Sequence, residues 1–166
     1  RKERDAVSLM EVVENLTKIK GIVSQSEVDA ISRYMTKWAN TFPDRPVVVI
    51  NYEFLNVSSG DETAMALSTI QGTYITRRYI LSGYRAEYQF KIIYRIKPGN
   101  SNDKRLSADE LLNQFGEWAT NHLPELAEGM KAIKVEQTAL ASKFAEYADG
   151  YEDYQILMKL TYEVNV

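Results

Sequence analysis

The chain has no cysteine. That excludes a disulfide framework, thiolate metal ligands and a cysteine nucleophile, and it fits synthesis in a reducing cytoplasm. Histidine is nearly absent too: His122 is the single copy. One imidazole without a thiol makes a zinc site or a nucleophile–histidine pair a poor reading. No apolar run approaches the roughly 20 residues that a membrane-spanning helix needs, and Arg1-Lys2-Glu3-Arg4-Asp5 leads into an amphipathic segment instead of a signal-peptide apolar core. The expectation is a soluble chain without a secretory address. Its glycines do not form a phosphate-binding loop either: Gly60, Gly72 and Gly83 are isolated turn signals.

What is present is enough apolar material for a core. At 166 residues and 45% hydrophobic content, one domain is expected and two of usual size are not. The net charge is only −3, yet its distribution is lopsided. Residues 73–105 carry eight Lys or Arg against two acids, whereas residues 107–166 carry four against eleven. Solvated faces account for such runs in the ordinary case. Complementary patches meeting between copies would use them as well, because unlike charges steer association and fix its register.

Periodicity sets the element order. Leu9, Val12, Val13, Leu16 and Ile19 recur at helical spacing ahead of Gly21, where a left-handed cap belongs. Ser24 and Glu27 have capping-box spacing, and Val28, Ile31, Tyr34, Met35 and Trp38 continue one face until Phe42-Pro43. From Pro46 the period becomes two. Residues 47–52 form a β-branched run that fits burial on both faces, and Ser58-Ser59-Gly60-Asp61 reads as a turn. Residues 63–70 and 73–81 are expected as two strands parted by a Gln71-Gly72 turn. Over 84–97, Tyr84, Ala86, Tyr88, Phe90, Ile92, Tyr94 and Ile96 alternate with Arg85, Glu87, Gln89, Lys91, Ile93, Arg95 and Lys97. At about 3.3 Å per residue this strand exceeds 40 Å, so it must twist, bend or project from the sheet.

Pro98–Asp103 is a loop by composition, and Ser107 with Glu110 predicts the start of a helix whose apolar face is Leu111, Leu112, Phe115, Trp118 and Ala119. Weaker strands are expected at 131–137 and 141–147, a turn at Asp149-Gly150, and a closing strand over 154–164. There Tyr154, Ile156, Met158, Leu160, Tyr162 and Val164 face one side. The whole order predicts an α+β domain spanning 1–166: N-terminal helices in 5–42, a sheet over 46–97, a helix over 107–122 and C-terminal strands over 131–164. Its sheet is mixed and antiparallel-rich, with helices packed on one face.

Chemistry-bearing clusters are few. His122 at a helix end suits a cap. Glu146, Asp149, Glu152 and Asp153 lack the spacing of a calcium loop and read as a solvated acidic turn, while Asp109 and Glu110 suit a helix N-terminus. The interleaving of Arg77, Arg78, Arg85, Lys91, Arg95 and Lys97 with tyrosines and Phe90 invites comparison with sheets that stack single-stranded bases. Period two argues against that on 84–97, since rings and charges fall on opposite faces, and a pI of about 5.3 weighs against general nucleic-acid binding.

Three segments carry a family resemblance. They are Tyr94-Arg95-Ile96-Lys97-Pro98 with the polar loop after it, the helix Leu111-Leu112-Asn113-Gln114-Phe115-Gly116-Glu117-Trp118, and the ending Asp149-Gly150-Tyr151-Glu152-Asp153-Tyr154-Gln155 followed by Leu160-Thr161-Tyr162-Glu163. Over roughly residues 84–166 the chain resembles the minor capsid or tail-terminator proteins of long-tailed phages of Gram-positive hosts. The resemblance implies a structural virion protein in the tail or neck, assembled in the host cytoplasm. It implies a homo-oligomer, usually a hexameric ring, that stops tube growth on the tail tube protein and presents a surface to the head-tail connector protein. It implies no enzyme activity and no cofactor, and DNA would be met only by passage through a lumen. A neck or head-completion protein, and a nucleic-acid or ligand-binding module using the basic aromatic sheet, are the alternatives. Candidate subunit or partner contacts, chosen for charge on strand faces and in the acidic turn, are Arg77, Arg78, Arg85, Arg95, Lys97, Asp149, Glu152 and Asp153.

Overall fold

The computed structural model describes residues 22–57 and 62–165. The helix expected over 7–20 and the turn expected at 58–61 lie outside them. Two described helices, α1 (Gln25–Ala39) and α2 (Asn102–Asn121), accompany strands β1 (Ile50–Tyr52), β2 (Ala64–Arg78), β3 (Tyr84–Ile96), β4 (Met130–Gln137), β5 (Ser142–Glu146) and β6 (Glu152–Val164). The sheet runs β1-β2-β3-β6-β4, with β5 beside β6. β1 and β2 are parallel and every other pairing is antiparallel. The fold is therefore α+β, with a mixed, mostly antiparallel sheet.

Period two explains the two central strands. β3 and β6 pair without a register break from Tyr84↔Val164 to Ile96↔Glu152, and their inward residues Ala86, Tyr88, Phe90, Ile92, Tyr154, Ile156, Met158, Leu160 and Tyr162 are buried. Both helices cover that face. Trp38 of α1 packs edge-on to Phe90 and Phe115 and stacks on Trp118 at 5.2 Å between ring centres. Phe42 meets Phe115 at 5.3 Å. Full burial of each large side chain contributes about 1.5–3 kcal/mol, so this aromatic cluster clamps α1, α2 and the sheet together.

Two polar contacts cross the core. The Ser32 and Tyr88 hydroxyls hydrogen-bond at 2.8 Å, and Trp38 Nε1 donates to the His122 carbonyl at 2.6 Å. Ser24 caps α1 by accepting from the Glu27 amide, as its spacing predicts. The Glu27 carboxylate, however, does not close the reciprocal half of a capping box. It accepts from the Tyr84 and Tyr162 hydroxyls instead, tying the first turn of α1 to β3 and β6.

Three expectations are corrected. Gln71-Gly72 is not a turn: β2 runs on through it, and the register against β3 jumps from Thr69↔Phe90 to Thr73↔Tyr88. Three β2 residues lie opposite one on β3, an irregularity that a glycine within a strand often marks. The run 47–52 is not buried on both faces. Only Ile50–Tyr52 pair, Val48 and Val49 are exposed, and β1 is an edge strand closed on its outer side by Asn40. That side chain accepts from Ile50 N at 2.7 Å and donates to Ile50 O at 2.9 Å. Helix α2 begins at Asn102, capped by Ser101, not at Ser107. The Pro98 carbonyl accepts from the Ser101 amide, so the turn that ends β3 leads straight into the helix.

Candidate assembly surface

The sheet face away from the helices carries the alternating charged residues. Lys159 on β6 lies between Glu87 on β3 (3.5 Å) and Glu136 on β4 (3.1 Å), and Arg85 bonds Glu163 at 2.9 Å. The Lys159 ammonium is raised above its ordinary range first by its hydrogen bond to Glu136. Glu163 is lowered, first by the Tyr79 hydroxyl and then by Arg85. Opposite charges placed across from one another on neighbouring strands favour the pairing.

At the end of this face where β3 leaves the sheet, the charges are deeper. Arg95 Nε and Nη2 donate to the two Asp153 oxygens at 2.7 and 2.9 Å, and Tyr147 donates its hydroxyl to the same carboxylate while its ring lies 4.8 Å from the guanidinium. One register position along, and on the helix-covered side of the sheet, Glu152 accepts from Arg105 Nε and Nη2 and from the Tyr154 hydroxyl. The Arg105 hydrogen bonds hold the Glu152 carboxyl below its usual range. Asp153 is 2% and Glu152 7% exposed. The solvated acidic turn expected here is thus half correct: Asp149 is exposed, but Glu152 and Asp153 are buried partners of guanidinium groups within their own chain. Isolated buried carboxylates would be prohibitively costly, and the forked arginine geometry is what makes their burial tolerable.

The opposite end of β3 is built differently. The β2–β3 connection, residues 79–83, is closed by a Tyr79 N–Gly83 O hydrogen bond, and Gly83 has φ +86 with the Val164 carbonyl 2.3 Å from where a Cβ would sit. Only glycine fits that base. Beyond it the tip presents Ile80 at 102% and Leu81 at 97% exposure. Arg77 is exposed near a Tyr79 ring, and Arg78 is half-buried over Tyr84. Among the described residues neither arginine lies within 4 Å of a carboxylate.

The eight charged candidates therefore divide. Arg85, Arg95, Glu152 and Asp153 are joined to one another's strands or to α2 inside the chain. Lys97 is exposed, 4.0 Å from Glu62 and over the Tyr151 ring. Arg77, Arg78 and Asp149 remain without an ionic partner among the described residues. His122 does cap: it ends α2, its Nδ1 lies 2.8 Å from the Trp118 carbonyl and its ring stacks on Trp118. Residue-type reasoning missed Arg105, whose role needs the earlier helix start. It also missed Ile80 and Leu81, although an apolar pair ahead of Ser82-Gly83 at a hairpin tip is itself a signal.

No protein-family model and no curated protein matches the chain. Among solved structures, a chain from the virion of a native gene transfer agent particle is similar, with TM-score 0.56 and 12% identity, covering 84% of this chain and 99% of that one. At that identity the likeness establishes a shared fold. A second solved structure, whose designation states no function, matches with TM-score 0.48 and 13% identity over 87% of this chain and 97% of its own, too weak a likeness to argue from.

Proposed function

We propose that the chain is a structural, non-enzymatic protein of a phage-like virion. It acts as a ring at the head-proximal end of the tail, where it terminates the tube and joins it to the head connector. The observation that carries this reading is the fold shared with a virion chain along almost the whole of that chain's length. The resemblance of residues 84–166 to tail-terminator proteins supports the same place in the particle, and a hexamer is the ring it favours. The distribution of chemistry fits as well. Glu152 and Asp153 are paired with guanidinium groups inside the chain, while the hairpin tip exposes Ile80 and Leu81.

Mass measurement across a concentration series, with electron microscopy of the protein mixed with tail tubes, tests the proposal. Closed rings of several copies seated on tube ends are expected. A protein that stays monomeric at high concentration and never associates with tubes overturns it, and rings that bind only the connector side would reassign it to the neck.

A further inference from the structure

Strand β5 differs in kind from the rest of the sheet. None of its residues is buried, whereas every other described strand and both described helices bury at least one. On the edge of β6 not taken by β3, β4 pairs at seven positions and puts Ala132 and Val135 into the core. β5 pairs further along that edge at only four positions, and Phe144 interrupts the register between Lys143 and Ala145. What holds β5 down is polar. Lys143 lies 3.9 Å from Glu152, and the Lys91 ammonium sits 5.3 Å from the centre of the Phe144 ring. Directly after the strand, Tyr147 gives its hydroxyl to Asp153 at 2.8 Å and lays its ring against Arg95. Exposed ion pairs and cation–π contacts each contribute little, since water competes for them.

A segment with few buried apolar contacts and a solvent-exposed hydrogen-bond ladder opens ahead of the rest of a fold. We infer that residues 142–147 form a strap that lifts off β6 on its own, latched by the Tyr147 hydroxyl on Asp153, while β3, β4 and the remainder of β6 stay paired. Both ends of the strap have fixed points. The Ala141 amide donates to the Asn113 side chain on α2 at 3.1 Å, and past Tyr147 the chain reverses at Gly150, whose φ is +93. Closed, the strap covers Asp153, which is 2% exposed. Open, it bares that carboxylate with its Arg95 partner and leaves the backbone of Glu152–Gln155 without a neighbour on that side. The opposite border of the sheet has no such freedom, because Asn40, which closes it, is the residue that caps the C-terminus of α1. One border is thus fixed and the other has two states.

Native-state hydrogen exchange on the full chain, resolved by residue and corrected for intrinsic rates, tests the strap. The hydrogen-bonded amides of 142–146 are expected to exchange on the order of a hundredfold faster than those of 88–92 in β3. Two variants separate local opening from global unfolding. Phe115→Leu loosens the aromatic cluster far from β5, so exchange in 88–92 should rise about tenfold while 142–146 is unmoved. Tyr147→Phe keeps the ring over Arg95 and removes only the latching hydroxyl, so exchange in 142–146 should rise about fivefold. Equal protection in β5 and β3, or a rise in 142–146 that tracks 88–92 in Phe115→Leu, means that β5 opens only with the whole fold and overturns the inference. Unchanged exchange of 142–146 in Tyr147→Phe overturns the latch.

Discussion

The two ends of the central strand pair use arginine in opposite ways. At the β3 exit, Arg95 and Arg105 hold two buried carboxylates in forked hydrogen bonds, so charge there is part of the fold. At the β2–β3 tip, Arg77 rims two apolar side chains that touch nothing in the chain. The lesson is that a run of basic residues in one sequence segment does not define one surface. What separates the two uses is whether the strand opposite supplies a carboxylate in register: Arg95 lies across from Asp153 and Arg85 across from Glu163, while Arg77 lies across from Arg85.

The contrast can be broken most forcefully at Asp153. Asp153→Ala leaves Arg95 facing a carboxylate-free pocket, and a loss of about 3 kcal/mol is expected from the urea midpoint, in line with removing one partner of a buried pair; a loss under about 1 kcal/mol would make the two ends equivalent. Acid should act next, and in a defined direction. Glu152 and Glu163 are both held below the usual carboxylate range, so their contribution is fully present above the unfolded value of about 4.3 and disappears as pH falls through the lowered folded values. Urea midpoints between pH 6 and pH 3 should fall, and Glu152→Gln should flatten that decline. Asp109 works in the other sense, since burial raises its carboxyl and protonation there relieves a cost. Tyr147→Phe removes one hydroxyl from Asp153 and should cost about 1 kcal/mol, a hydrogen bond to a charged group discounted for exposure. Smallest of all is the effect at the tip: Ile80→Ser with Leu81→Ser should change fold stability by no more than about 0.5 kcal/mol. Near-equal losses for the tip and Asp153 variants would sink the distinction.

Much of this was legible in residue pattern, and the failures have physical causes. The strict alternation in 84–97 and 154–164 specified β3 and β6 and their buried faces, because a one-residue slip would turn every inward side chain outward. The same alternation says nothing about neighbours, so it could not tell that Asp153 sits opposite Arg95. That is why Glu152 and Asp153 read as solvated. The start of α2 was misplaced because Ser101 and Ser107 offer the same cap chemistry, and only the turn at Pro98 decides between them. The β-branched run 47–52 suggested a buried strand, since local composition does not report whether a strand is central or lies at an edge. At Gln71-Gly72 a turn and a bulge use the same residue, and the continuous β2 on either side chose the bulge.

The Asn40 amide has a consequence for the life of the protein in a crowded cell. By offering Ile50 both an acceptor and a donor, it imitates one rung of a missing neighbour strand and occupies the valence through which sheets recruit foreign chains. At that rung an incoming strand would first have to displace the Asn40 side chain.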